Sequence, residues 1–255
     1  MTNGDKTILY DDACPLCATY TAGFVRAGML DASGRKTFAQ TGAAERACID
    51  LDRARHEIPL IDRAGGETRY GLDALFTLLA ARFPALTPVF RAPVLRATLV
   101  PLYRYISYNR RQIAGCQVRP TANGFDAAPD FHRTWRVRHL CLCAALWAFL
   151  AFASAAGCVA AVALAVAGFA CVQAVGIARA VFALPSRSGA WDRAGSLATN
   201  AATFALLFAL ALAALRSFGA AGQTVALAFA AFVTLADANR RLCGSVPCET
   251  AVRVD

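Results

Sequence analysis

The longest uncharged run in the chain extends from Leu140 to Ala178 and consists mainly of alanine and other apolar residues. A membrane-spanning helix requires about 20 mainly apolar residues, so this run is long enough for two. We divide it into Leu140–Ala156 and Cys158–Ala178, and two similar runs follow at Ala194–Leu215 and Ser217–Ala236. The sequence therefore predicts an all-α membrane domain of four transmembrane helices in contact with a lipid bilayer.

Arginine residues flank these apolar runs on one predicted side of the membrane. They are Arg133, Arg136, Arg138, Arg179, Arg187, Arg193, Arg240 and Arg241. The turn within the first pair of runs has no basic residue, and the turn within the second pair has only Arg216. Because cytoplasmic loops carry an excess of Lys and Arg, we predict a multi-pass integral membrane protein with both termini in the cytoplasm.

The net charge of +9 has its explanation in these flanking arginines. A nucleic-acid-binding surface would combine basic residues with exposed aromatic residues on a soluble domain, so we expect no nucleic-acid partner.

The first six residues are polar and the apolar run after them is short, which predicts no signal peptide. A membrane ion path is also not expected, because no Asp, Glu, Lys or His lies in the middle of an apolar run.

The segment before the apolar runs contains a Cys-Pro-Leu-Cys motif at Cys14–Cys17, between a predicted strand and a predicted helix. Two residues between the cysteines allow their sulfur atoms to bridge if the helix begins at Cys14. At the helix N-terminus, unpaired N–H groups and the helix dipole favour a thiolate, the species that attacks disulfides. We therefore predict that Cys14 is the nucleophile and that the more buried Cys17 is the resolving thiol.

Two other interpretations of the motif stay open. A Cys-x-x-Cys pair is also half of a zinc site, but the other candidate ligands, Cys48, His56 and Cys116, are single and scattered. The pair also fits a structural disulfide or inert buried thiols. The redox interpretation is favoured by the strand–motif–helix context, and it needs no metal or cofactor beyond the Cys14/Cys17 pair.

The apolar patterns of the first 82 residues predict a β-α-β-α-β-β-α order, that of the minimal thioredoxin fold. The predicted elements are strand Lys6–Tyr10, helix Cys14–Ala27, strand Lys36–Ala39, helix Thr41–Arg55, strand Glu57–Asp62, strand Glu67–Tyr70 and helix Asp73–Arg82. A further helix begins at Pro101 and places Leu102, Ile106 and Ile113 near one face. It either rests on anionic lipid or, as we favour, packs across the redox domain with solvated arginines.

The run Tyr10-Asp11-Asp12-Ala13-Cys14-Pro15-Leu16-Cys17 resembles the signature of the DCC family of thiol–disulfide oxidoreductases, usually Y-D-G-x-C-P-x-C. The similarity continues through Ile58–Asp62 and Tyr70–Leu75 and ends near Tyr108–Arg111, so it covers roughly the first 115 residues. The resemblance implies a thioredoxin-like fold and disulfide exchange with a protein or small-molecule thiol. It also implies a role for Asp11 beside the cysteines, where turn chemistry after the strand is the alternative. It implies a cis peptide bond before Pro59, where a trans proline at a strand start is the alternative. Asp12 departs from the family, because Gly is usual there.

Other cysteines fall near the ends of the predicted spans. Cys243 and Cys248 could relay electrons to and from the Cys14/Cys17 pair, or they could be reduced packing residues like Cys158 and Cys171. Cys141 and Cys143 lie on the same predicted side.

Together these patterns predict four regions: a redox domain (1–117), a linker and basic segment (118–137), a transmembrane domain (138–242) and a cytoplasmic tail (243–255). We expect a membrane-anchored thiol–disulfide oxidoreductase. The alternatives are a membrane scaffold or transporter-like protein with a non-catalytic thioredoxin-like domain, and a metal-binding sensor.

Overall fold

A computed structural model of the chain describes residues 5–115, 125–155, 166–168 and 187–243. The chain divides into two compact units, Met1–His132 and Arg133–Asp255.

The first unit is a mixed α/β domain around a small sheet. Its elements are β1 (Lys6–Tyr10), α1 (Pro15–Arg26), β2 (Arg35–Thr37), α2 (Ala43–Ala47), α3 (Leu51–Ala54), β3 (Pro59–Asp62), β4 (Arg69–Tyr70), α4 (Gly71–Arg82), α5 (Thr87–Arg91) and α6 (Pro93–Ala114). Short 3₁₀ turns lie at Ala32–Gly34, Phe38–Gln40 and Pro84–Leu86. The predicted β-α-β-α-β-β-α order is present, with the second helix in two pieces.

The four strands form one sheet in the order β2-β1-β3-β4. Strand β1 runs parallel to β2 and antiparallel to β3, with Ile8 opposite Arg35 on one side and Leu60 on the other. Ile8 and Leu60 belong to a buried cluster that also contains Cys14 and Cys17. The central strand therefore ends beside the cysteine motif, an arrangement consistent with a thioredoxin-like fold.

Two local predictions in this unit are wrong. The helix predicted over Thr41–Arg55 is two short helices, because the Asp50 side chain accepts a hydrogen bond from the Arg53 N–H (3.0 Å) and begins α3 anew. The peptide bond before Pro59 is trans, since no described peptide bond is cis. A trans proline at the first position of a strand is well tolerated, because no N–H is needed from it there.

Helix α6 packs across the rest of the first unit, as favoured from the sequence, but with a different face. Its contacts to the rest of the unit come from Tyr103, Ser107 and Arg110, which recur at helical spacing. Leu102 is 50% exposed, and Ile106, which lines a cavity within the unit, is still 36% exposed, so the packed side is centred on the polar residues and not on the predicted apolar face. Arg110 is buried instead of solvated.

Part of the predicted linker is also packed into the first unit. Ala127 is buried in a cluster with Leu9, Phe38 and Ile61, and the ring of Phe125 lies 5.0 Å from that of Phe38. The segment around Ala127 therefore completes the side of the sheet opposite the cysteines' cluster.

The second unit contains three long helices among its described residues: α7 (Arg133–Ala155), α8 (Arg187–Leu215) and α9 (Gly219–Cys243). Helix α8 packs against both α7 and α9. Small side chains such as Ala198 and Ala202 line its contact with α7, and Phe204 and Phe208 pack with Ala226 and Ala230. These small residues allow the helices to approach closely.

Two described helices are long and apolar enough to cross a membrane, Trp191–Leu215 and Gly219–Arg241. The prediction of four is therefore supported only in part. The first predicted span, Leu140–Ala156, overlaps α7 up to Ala155, and Ala156 lies outside the described residues. The second, Cys158–Ala178, lies outside the described residues except for 166–168.

Candidate functional site

Cys14 is the N-cap residue of α1, and Pro15 occupies the first helical position. The Cys14 N–H donates to the Asp11 carbonyl (3.2 Å), and the Cys14 carbonyl accepts the first helical hydrogen bond from Ala18 (3.0 Å). The Cys14 side chain makes no capping hydrogen bond, and no acidic residue lies in the first turn of α1. The partial positive charge of the helix N-terminus therefore acts on the Cys14 sulfur.

Cys14 and Cys17 are both thiols in this structure, and both are buried. A hydrogen bond to Cys14, followed by burial, raises the pKa of the Cys17 thiol well above its ordinary value. Cys17 therefore keeps its proton and holds it toward the Cys14 sulfur. The prediction that Cys17 is the more buried residue is wrong, because Cys14 is 0% exposed and Cys17 is 5% exposed.

Asp11 is the carboxylate that accompanies the cysteines. Its side chain is 11% exposed, and one of its oxygens accepts a hydrogen bond from the Ala13 N–H (3.0 Å). The other oxygen lies 3.4 Å from an Arg110 nitrogen. Burial raises the pKa of Asp11, although the positive charge of Arg110 opposes that shift. Asp11 is therefore a stronger base than an exposed carboxylate.

Arg110 brings a buried positive charge to the same place from α6. Its guanidinium donates to the Ala127 carbonyl and forms the ion pair with Asp11. Burial lowers the pKa of Arg110, but negative charge at Cys17, Asp11 and Cys14 outweighs it and leaves the pKa raised. The guanidinium is therefore a permanent cation that stabilises a thiolate in the Cys14/Cys17 pair.

Asp12, which stands where the resembled family usually has Gly, is exposed. No described residue other than glycine has a positive φ, so the turn at Asp12 does not need the conformational freedom of glycine. The difference from the family pattern is therefore accommodated without backbone strain.

Two further contacts fix the segment before Pro59 next to the site. The Ile58 N–H donates to the Tyr103 hydroxyl (3.1 Å), and the Ser107 hydroxyl donates to the His56 carbonyl. Burial raises the pKa of Tyr103 to about 12, so its hydroxyl stays neutral. Pro59 itself is buried at the start of β3, at the same end of the sheet as Tyr10 and the cysteine motif.

A cavity of about 300 Å³ lies on the Cys17 side of the pair. Apolar and aromatic side chains line most of it, with Asp11 and Arg110 as the charged groups. Cys17 lines this cavity together with Leu16, Tyr20 and Ile106. The pair therefore has an apolar space on one side within the first unit.

The remaining predicted positions do not join this site. Cys48 is exposed in the first unit, and Cys141 and Cys143 belong to the second unit. Cys116 and Cys248 lie outside the described residues, as does the side chain of Cys243. His56 lies 3.0 Å from Asp130, and His139 lies 2.8 Å from Thr199. Among the side chains that the structure describes, no three His, Cys, Asp or Glu residues are placed to hold a metal ion.

Sequence reasoning missed Arg110 and Tyr103 as members of the site. The apolar pattern of α6 directed attention to Leu102 and Ile106, whereas the packed face is polar. The family resemblance extends as far as Arg110, and it was the one sequence signal that could have assigned this arginine to the site.

No curated protein and no solved structure is significantly similar to this chain. The first unit, however, matches a protein family, and the match spans both cysteines, Asp11, Pro59 and Arg110. The resemblance inferred from the cysteine motif is thereby confirmed for this part of the chain. Residues 8–116 match the model of the family described as DCC1-like thiol-disulfide oxidoreductase.

Proposed function

We propose that the chain is a membrane-anchored thiol–disulfide oxidoreductase whose reacting groups are Cys14 and Cys17. The observation that carries the proposal is the hydrogen-bonded cysteine pair at the N-terminus of α1, beside the buried cation of Arg110. The family match of residues 8–116 supports the same reaction class.

In the first step, the Cys14 thiolate attacks one sulfur of a substrate disulfide. A Cys14–substrate disulfide forms, the substrate S–S bond breaks, and one substrate thiolate leaves. The helix N-terminus and the guanidinium of Arg110 stabilise the attacking thiolate, and the hydrogen bond from Cys17 holds the resolving thiol next to it.

In the second step, the Cys17 sulfur attacks Cys14, so the Cys14–Cys17 disulfide forms and the second substrate thiolate leaves. The protein dithiol is oxidised and the substrate is reduced, and an external dithiol returns the pair to its reduced form. Because the pKa of Cys17 is raised, this step needs a base. Asp11, a nearby carboxylate whose own pKa is raised by burial, accepts the Cys17 proton in our proposal.

Burial of Cys14 sets a condition on this chemistry. A residue with no exposed surface cannot meet a substrate sulfur until a covering group moves. The proposal therefore includes a local opening around the Asp11–Leu16 turn, after which attack proceeds as above.

The second unit is the proposed membrane anchor. Helices α8 and α9 are long and apolar enough to cross a membrane. They also expose large apolar side chains at helical spacing: Leu206, Leu210, Val225, Phe229, Phe232 and Leu235. Exposed apolar side chains in this number are unfavourable in water and are expected in contact with lipid tails. The proposal of two further spans is supported by the uncharged run Leu140–Ala178, and the cytoplasmic position of both termini by the arginine distribution.

Mixed-disulfide trapping in the full chain tests this function. Cys17→Ser should accumulate a dithiothreitol-sensitive adduct with a disulfide-containing model peptide, because the resolving thiol is lost. The matched control Cys14→Ser should give no adduct. If neither variant differs from the native chain, the first unit is a non-catalytic binding domain. An adduct on Cys17 in place of Cys14 would reverse the assigned roles.

A further inference from the structure

The charge of the segment from Ala74 to Phe125 is entirely positive. It contains no Asp, Glu or Lys, and its charged residues are Arg82, Arg91, Arg96, Arg104, Arg110, Arg111 and Arg119. This segment supplies α5, α6 and most of α4. These helices therefore give the first unit one strongly basic region.

Large apolar side chains are exposed in the same region. Five of them run from the end of α4 through α5 and along the outer side of α6: Phe83, Leu86, Val89, Val94 and Leu102. Val94 is 75% exposed. Because α5 packs against both α6 and the turn after α4, these positions belong to neighbouring elements. We call these five residues, with Arg91 and Arg104, the α5–α6 face.

Packing of the first unit does not account for this apolar surface. Helix α6 is attached to the unit by its opposite side, through Tyr103, Ser107 and Arg110. An exposed apolar patch on a folded domain marks an interaction surface.

The arginines of the α5–α6 face differ from their neighbours in their pairing. Arg96 pairs with Asp73 (2.6 Å) and Arg110 pairs with Asp11. Arg91 and Arg104 are exposed and form no ion pair within the described part of the chain. Their charge is therefore available to an anionic partner.

We propose that the α5–α6 face binds the surface of an anionic lipid bilayer and holds the first unit against it. Exposed apolar side chains beside arginines match an interface between acyl chains and anionic headgroups. The chain also carries two helices that are long and apolar enough to enter a bilayer, which would keep such a surface close. Binding of this face to lipid is independent of the thiol chemistry proposed above.

Hydrogen–deuterium exchange of the full chain in lipid nanodiscs tests the proposal. Backbone amides over residues 83–106 should exchange more slowly in discs containing phosphatidylglycerol than in discs of phosphatidylcholine alone. Each arginine near an anionic surface strengthens binding on the order of fivefold, so Arg91→Gln with Arg104→Gln should remove most of the difference. Val94→Asp should also weaken the protection, because it places a carboxylate in the apolar part of the face.

The control is Arg26→Gln, which removes an exposed arginine at the end of α1 and should leave the lipid-dependent protection intact. Exchange over β1 should be unchanged in every variant, which shows that the unit stays folded. Equal exchange in both lipid compositions, or a difference that survives the double arginine substitution, would overturn the proposal.

Discussion

The Arg110 guanidinium lies 3.4 Å from the Asp11 carboxylate, and this ion pair joins residues 99 positions apart beside the cysteine pair. Both side chains are about one-tenth exposed, so solvent screens the interaction little. Asp11 is held by the Ala13 N–H and Arg110 by the Ala127 carbonyl, which leaves each group little freedom to move. The Asp11–Arg110 ion pair therefore has two opposite effects on the cysteines. The positive charge of Arg110 stabilises a thiolate, and the negative charge of Asp11 reduces that stabilisation.

Replacing Arg110 by Met should slow the reaction of Cys14 with iodoacetamide at neutral pH by about tenfold or more. The reason is that an opposite charge within a few ångströms of an ionisable group shifts its protonation equilibrium by about one to three pKa units. Peptide mapping of the alkylated full chain measures the rate. Arg111→Met is the matched control, since Arg111 is the neighbour on α6 and is not among the charges that shift the pKa of Cys17. Equal rates in the two variants would contradict the role given to Arg110.

Replacing Asp11 by Asn should slow resolution of the mixed disulfide more than its formation. Asp11 is the proposed acceptor of the Cys17 proton, and an amide cannot accept it. Rapid quenching should therefore show the Cys14 adduct accumulating in the otherwise native chain. Asp12→Asn serves as the control because Asp12 is adjacent but exposed, and it should leave both steps nearly unchanged. A slower first step with an unchanged second step would show that Asp11 acts on Cys14 instead.

Alkaline pH should destabilise the first unit through Cys17. Its pKa is raised in the folded chain above the ordinary value of 9.0, so the unfolded chain loses this proton first. The unfolded state then binds fewer protons than the native state, and the free energy of unfolding falls as pH rises above about 9. All six tyrosines belong to the first unit and all three tryptophans to the second, so tyrosine absorbance reports its unfolding.

In Cys17→Ser the loss of stability between about pH 9 and pH 10 should be absent, because serine does not titrate there. Tyr20 and Tyr103 have raised pKa values as well, but they contribute only above the range of an ordinary tyrosine, near 10. A persistent decline in the serine variant would assign the effect to another group.

The sequence was sufficient to predict the order of elements in the first unit because each signal there is local. The apolar run of β1, the proline after Cys14 and Gly28 at the end of α1 each act on their immediate neighbours. Gly28, with φ +67°, lies just beyond the last turn of α1, where glycine commonly ends a helix.

The site beyond Cys14, Cys17 and Asp11 depends on long-range contacts that no local pattern contains. Arg110 reaches Asp11 only because α6 packs with its polar side inward, and an apolar periodicity predicts the opposite face. The prediction of a cis bond at Pro59 came from resemblance, and the trans bond shows that a shared motif does not fix every local geometry. The relative burial of Cys14 and Cys17 likewise depends on neighbours that are remote in the sequence.

Gly71 follows β4 and lies next to the side chain of Tyr103. Replacing Gly71 by Ala should destabilise the first unit. Gly71 has φ +57°, which L side chains rarely adopt, and a Cβ there would meet Tyr103 at 3.2 Å and Glu57 at 3.3 Å. A left-handed conformation costs a residue other than glycine about 1–2 kcal/mol, and displacement of Tyr103 would add to this.

The matched control is Gly23→Ala in the interior of α1, where a Cβ meets no atom within 4 Å. That change should stabilise the unit by about 0.5–1 kcal/mol, because alanine favours a helix interior over glycine. Thermal unfolding followed by tyrosine absorbance measures both effects in the full chain. Because the Tyr103 hydroxyl accepts the Ile58 N–H, Gly71→Ala should also speed exchange of that amide. Unchanged exchange at Ile58 alongside lost stability would confine the effect of Gly71→Ala to backbone strain, without displacement of Tyr103.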